Sequence, residues 1–184
     1  IQIQIKKSKG GREMPQAVVP TIRFDDLFKG WEIPAYYWAV TPNEMRAFAQ
    51  VVGCPEPLFM DENTAKSMGL DTIPAHPGYI NLFHFECNLL RGAHTNPVFP
   101  TMHNASKVEF FRPIYPGDVL TIKMKVHDKI ISKKGRRFVA WEIELFDKEG
   151  NLVARKIHSS MWLKDEEAAD RFGITPGMGP RPLY

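Results

Sequence analysis

Hydrophobic positions along the chain follow two different periods, and the change between them divides the middle of the sequence. Apolar Met45, Phe48, Ala49 and Val52 recur at spacings of three and four, which predicts a short amphipathic helix. Thr41 supplies its N-cap, Pro42 suits the first helical position, Glu44 lies in the first turn, and Gly53 ends it. The loop Cys54-Pro55-Glu56-Pro57 follows, and Asp61 caps a second short helix through Ser67, with Gly69 after it. After Ile73-Pro74-Ala75-His76-Pro77-Gly78, the run from Tyr79 to Leu90 is apolar nearly all round. That predicts a helix of at least three turns wrapped by protein, with Ile80, Phe83 and Leu90 inside. From residue 105 the period becomes two. Val119, Thr121, Lys123 and Lys125 alternate with Leu120, Ile122, Met124 and Val126, and Phe138 to Phe146 alternates again. Pro113 to Asp118 forms a turn, Asp147 to Asn151 a hairpin loop, and Leu152 to Leu163 the final strand.

One buried helix followed by long antiparallel strands with short connections predicts an α+β fold, a long central helix wrapped by a curved antiparallel sheet. Residues 1–20, polar and then proline-punctuated, are expected to form an arm, and residues 21–164 the domain. Residues 165–184 carry Pro176, Pro180 and Pro182 with Gly173, Gly177 and Gly179, which predicts a tail that cannot hold a helix. Its apolar end, Leu183-Tyr184, needs a surface, and another subunit would supply one.

Composition narrows the function classes. The 184 residues are 43% hydrophobic and 24% charged, which fits an ordinary globular protein and argues against disorder. A net charge of +3 is too mild for a nucleic-acid module. No run of 18 apolar residues suggests a membrane span, and the start has no apolar signal-peptide stretch. Cys54 and Cys87 form no CxxC pair, so neither zinc nor any other metal is expected, and a reducing, cytoplasmic setting is. Neither GxxxxGK[ST] nor GxGxxG occurs, so no nucleotide cofactor is implied.

Three motifs in order carry a family resemblance over roughly residues 20–163. Val40 to Gly53 resembles the opening helix of MaoC-like hot-dog domains, and Cys54-Pro55-Glu56-Pro57-Leu58-Phe59-Met60-Asp61 is similar to their GDxNPLHxD loop. Glu109 to Leu120 resembles their E-F-x-R-P-[IV]-x-x-G-D-x-[IVL] strand and turn. Ala75 to Tyr79 and Met102-His103-Asn104 are similar to the A-P-P-T-F and L-H-G segments of the N-terminal, FAS1-like half of fused dehydratases, a subgroup that commonly pairs with a catalytic hot dog. The resemblance implies a hot-dog fold, usually dimeric. It also implies hydration or dehydration of enoyl and 3-hydroxyacyl thioesters of coenzyme A or acyl carrier protein. Catalytic members take an Asp and, five residues on, a His from the loop, because the reaction needs a base for water and an acid for the α-carbon. Here those positions hold Cys54 and Phe59, and the Asn position holds Glu56.

Two readings of function follow. The chain is a subunit with a degenerate site that completes a catalytic hot-dog partner as a homodimer or heterodimer. Alternatively it is a self-sufficient hydratase, dehydratase or thioesterase using Glu56 and His76. Glu56 fits a relocated base or a solvated loop carboxylate. His76 fits a group that polarises the thioester carbonyl or a locally bonded residue at a helix start. His84, about two turns further on, shares roughly the face of His76, but no third metal ligand is evident. Cys54 is a nucleophile only with a neighbouring base. Tyr79 and Phe83 line an acyl channel or fill the core. His103 suits a polar anchor in a turn before a strand. Lys133, Lys134 and Arg136 at a hairpin tip suit a solvated loop, or a dock for the phosphates of coenzyme A or an acidic carrier protein.

Overall fold

The computed structural model describes residues 21–83, 96–97 and 101–164. The arm, the tail, His84, Cys87 and Leu90 lie outside the described residues. Strands β1 (Thr21–Ile22) and β3 (Asn96–Pro97) form a small parallel pair. The main sheet is made of β2 (Glu32–Ala39), β4 (Thr101–Phe110), β5 (Val119–Ile131), β6 (Arg137–Phe146) and β7 (Leu152–Trp162). Its order is β2-β5-β6-β7-β4, with every neighbouring pair antiparallel.

Alternation fixes which face is inside. Leu120, Ile122, Met124 and Val126 of β5 are buried, and so are Val139, Trp141, Ile143 and Leu145 of β6. The register sets Ile122 opposite Leu145, Met124 opposite Ile143 and Val126 opposite Trp141, so each apolar row continues across the strands. A fully buried side chain of this size stabilises the fold by roughly 1.5–3 kcal/mol. The opposite face carries cross-strand charge. Glu142 meets Lys125 at 3.3 Å and His127 at 2.9 Å, and Arg155 meets Glu144 at 2.8 Å.

The expected helices before the sheet are present. Helix α1 (Pro42–Val51) is capped by Thr41 Oγ1, which accepts the Glu44 amide at 3.3 Å, and α2 (Glu62–Ser67) by Asp61, which accepts the Thr64 amide at 2.7 Å. Met45 and Ala49 are buried, whereas Val52, placed on the same stripe by spacing, is 46% exposed beyond the helix end.

The central segment differs from its expectation. Pro77–Phe83 is a 3₁₀ helix rather than the start of an α-helix. The Asn81 side chain donates to the Gly78 carbonyl at 2.9 Å, a local closure that competes with the α-helical pattern. Burial is as expected, with Tyr79, Ile80 and Phe83 at most 1% exposed. Trp38 packs edge-on against Phe83, and its indole N–H donates to the Tyr79 hydroxyl at 3.2 Å. Lys156 of β7, only 2% exposed, donates from Nζ to Asn81 Oδ1 at 2.8 Å, which joins the sheet to this segment.

Two strand boundaries escaped the periodicity. Strand β2 has no clean alternation because Pro34 lies within it and its register slips between Ile33 and Tyr36. Strand β4 begins at Thr101, and a slip between His103 and Ala105 breaks its period. His103 therefore lies within a strand rather than in a turn before one, with Nε2 2.9 Å from Ser106 Oγ.

Candidate active site

A cavity of about 470 Å³ opens where the end of β4 meets the start of the central segment. One wall comes from Leu58 and Phe59, another from residues 74–77, and the third from residues 110–114. Each wall follows from local sequence. Pro57–Phe59 is a short 3₁₀ turn that buries Phe59 at 9% exposure. The strand-ending pair Phe110 and Phe111 remains 43% and 56% exposed. Ile114 is buried, and its carbonyl accepts the Ala75 amide at 2.8 Å, which ties two walls together.

Among the described residues of this wall, His76 supplies the imidazole. Its Nδ1 accepts the Gly78 amide at 3.0 Å, so the neutral ring carries its proton on Nε2. The ring meets Phe59 edge-on at a centroid distance of 5.0 Å and lies 5.9 Å from Phe48. Arg112 also lies in the wall, and its guanidinium is engaged by Asp118 at 2.8 Å and Asp147 at 3.8 Å. Apolar walls with one imidazole N–H can enclose an acyl chain and donate a hydrogen bond to a carbonyl oxygen. Among the described residues they supply no carboxylate base.

The other nominated residues separate. Glu56 is exposed in the loop before Phe59 and is not part of the cavity wall. It faces Cys54 instead. A hydrogen bond to Glu56, some desolvation and the carboxylate's charge all push the Cys54 thiol up. Cys54 therefore stays protonated, the opposite of an activated nucleophile. Tyr79 and Phe83 sit in the core with no exposed surface and are not among the cavity walls. Lys133, Lys134 and Arg136 are exposed on the β5–β6 hairpin, at the far end of β5. At strand rise that is roughly 40 Å from the cavity end of β5, so one subunit does not bring them to His76. His84 lies outside the described residues. Among the described residues no group of three or more His, Cys, Asp or Glu side chains could hold a metal ion. Sequence reasoning passed over Phe110, Phe111 and Arg112 as site residues. The available signal was an adjacent aromatic pair ending a strand and running into Arg-Pro.

A curved five-stranded antiparallel sheet packed on a central helical segment, with a cavity at the start of that segment, defines a hot-dog protein. The chain belongs to the family described as FAS1-like, dehydratase domain region, whose model it matches over residues 27–156. A UPF0336 protein of Thermobifida fusca is 27% identical over 144 residues, covering 74% of this chain and 90% of that protein. The monoamine oxidase regulatory protein from Archaeoglobus fulgius superposes with a TM-score of 0.65 at 21% identity, covering 78% of this chain and 96% of that one. The C-terminally truncated HadBC (3R-hydroxyacyl-ACP dehydratase) complex from Mycobacterium tuberculosis gives 0.62 at 24% identity, covering 73% and 96%. Among the described residues no helix is long and apolar enough to cross a membrane.

Proposed function

We propose that this chain is a hot-dog subunit that binds acyl thioesters of coenzyme A or acyl carrier protein and completes a catalytic hot-dog partner in the cytoplasm, its own acid/base pair being degenerate. The observation that carries the reading is Phe59. It holds the position of the family's loop histidine and contributes an apolar wall, edge-on to His76. The second family position, Cys54, is held as a neutral thiol by Glu56. Hydration needs a base and an acid on one side of the acyl chain, and among the described residues this cavity offers one imidazole.

Pairing is supported by the sheet edges. β4 is a ten-residue outer strand with six successive exposed residues from Met102 to Lys107, and unpaired strand edges favour association. HadBC, whose fold this chain shares, is a complex. A partner added antiparallel along β4 would reverse its ends relative to this chain. This chain's Lys133, Lys134 and Arg136 would then lie toward the partner's cavity end, where phosphates or an acidic carrier protein would dock.

The test is co-purification with a hot-dog protein encoded nearby, then hydration of crotonyl and longer enoyl thioesters. The expected result is no turnover by this chain alone and turnover with the partner that is indifferent to Glu56→Gln. The second reading is a self-sufficient hydratase or dehydratase, or less directly a thioesterase, favoured by the fixed Nε2–H of His76 in the cavity wall. Robust turnover by the isolated chain that collapses in both Glu56→Gln and His76→Ala would establish it and overturn the first.

A further inference from the structure

We infer that Arg112 is a positioning residue for the cavity: its pairing with Asp118 holds the turn from which the His76 segment and the start of α1 are both suspended. The inference rests on reading this cavity as the acyl-thioester site.

The turn is closed from inside by one carboxylate. Arg112 Nη1 donates to Asp118 Oδ2 at 2.8 Å and Nη2 to Oδ1 at 3.1 Å, a two-pronged pair. Nη1 also donates to the Pro113 carbonyl at 2.9 Å. Asp118 Oδ2 accepts the Tyr115 amide at 2.9 Å, so the carboxylate spans the turn it ends. Asp147, which also accepts the Asn151 amide at 2.8 Å, lies 3.8 Å from Nη2 and ties the β6–β7 loop to the same guanidinium.

Three backbone bonds leave this turn. Ile114 accepts the Ala75 amide at 2.8 Å, one residue before His76. Asp118 accepts the Val40 amide at 2.8 Å, and the Gly117 amide donates to the Val40 carbonyl at 2.9 Å. Val40 directly precedes Thr41, the cap of α1. Helix α1 carries Phe48 onto the His76 ring, and its end leads into the loop that brings Phe59 to the other side. The charge of Arg112 is already met by two carboxylates, so its contribution is geometric. Loosening the turn shifts the imidazole relative to its ring partners; Arg112 itself lines the cavity, whereas Asp118 does not, so Asp118→Asn separates that shift from loss of the guanidinium.

Arg155 separates positioning from stability. It makes a comparable pair with Glu144, from Nε at 3.0 Å and Nη2 at 2.8 Å, at similar side-chain exposure (37% against 32%). Its carboxylate partners, Glu144 and Glu142, do not line the cavity. The experiment uses the full chain with Arg112→Gln, Arg112→Lys, Asp118→Asn and Arg155→Gln. It reads the ¹⁵N signals of the His76 ring by NMR, the affinity for crotonyl-coenzyme A by calorimetry, and the thermal midpoint. Arg112→Gln is expected to abolish the accepting signature of Nδ1 and to weaken thioester binding about ten-fold, the equivalent of one hydrogen bond. Arg112→Lys restores part of both, and Arg155→Gln lowers only the midpoint. Ring signals and affinity unchanged in Arg112→Gln, or changed no more than in Arg155→Gln, would overturn the inference. If Arg112→Gln does not fold, Asp118→Asn decides it by the same readouts, since the amide oxygen still accepts from Tyr115. If the wild-type chain binds no thioester, the ligand reading fails and the ring signals alone decide the role of Arg112.

Discussion

Gly78 and His76 are fitted so closely that a methyl on the glycine would press the imidazole aside by a few tenths of an ångström. A Cβ on Gly78 would stand 3.0 Å from His76 Nδ1, 3.2 Å from its Cε1 and 3.4 Å from the Phe48 ring. The same closeness lets the Gly78 amide reach Nδ1 at 3.0 Å. Gly78→Ala is therefore expected to displace the imidazole and break that bond. Overpacking of this kind costs about 1–3 kcal/mol. Denaturant unfolding gives the cost, and the ring ¹⁵N signals show whether Nδ1 still accepts. Unchanged signals with unchanged stability would contradict this account.

Cys54 and Glu56 form a second coupled pair, and chemistry can read it out. The carboxylate holds the thiol up through its hydrogen bond and its charge. Alkylation by iodoacetamide at neutral pH should be slow in the wild type and faster in Glu56→Gln, because the thiolate is the reacting form. Equal rates at Cys54, resolved by peptide mass, would refute the pairing.

Stability should depend on pH through His158. Burial, with Lys156 and His103 nearby, lowers its pKa from the ordinary 6.5 to about 4. Between those values the unfolded chain binds a proton that the folded chain does not. Stability therefore falls as pH drops from 6.5 toward 4 and loses nothing more from this group below 4. Asp61, held low by the Thr64 amide, adds its own loss only as pH falls below 3.8. His158→Gln should flatten the upper window and leave the lower one. Chemical denaturation at several pH values tests this, and an unflattened slope between 6.5 and 4 would rule it out.

Two isoleucines on neighbouring strands separate core from surface. Ile143 has no exposed surface, and Ile131 is 64% exposed. Ile143→Ala is expected to cost about 2–5 kcal/mol, and Ile131→Ala within about 0.5 kcal/mol of zero. Comparable losses in urea titrations of both would mean the sheet is facing the wrong way.

Much of the fold could be read in advance because its signals are local. Leu120 to Val126 alternates cleanly, and Thr41 and Asp61 each cap a helix with a side chain three residues from its partner. β2 was hidden because Pro34 and a register slip erase its alternation, and the start of β4 because its exposed residues carry no apolar stripe. The cavity was half legible. His76 and Phe59 belong to loops that motif spacing identifies. The distance from Lys133 to the cavity is set by the length of β5, and the enclosure of Tyr79 by the packing of Trp38, Phe48 and Phe83 around it. Neither quantity is written in any short stretch of residues.

The two outer strands of the main sheet differ in one respect with a consequence for the protein at high concentration. Each has one register slip, but β2 also contains Pro34, which has no N–H to give, whereas β4 runs ten residues without a proline. Among the described residues the main sheet thus has one competent border and one blunted border, and can accept a single neighbour. Filament growth needs both borders, so crowding should drive this chain into closed pairs and leave it resistant to forming fibres.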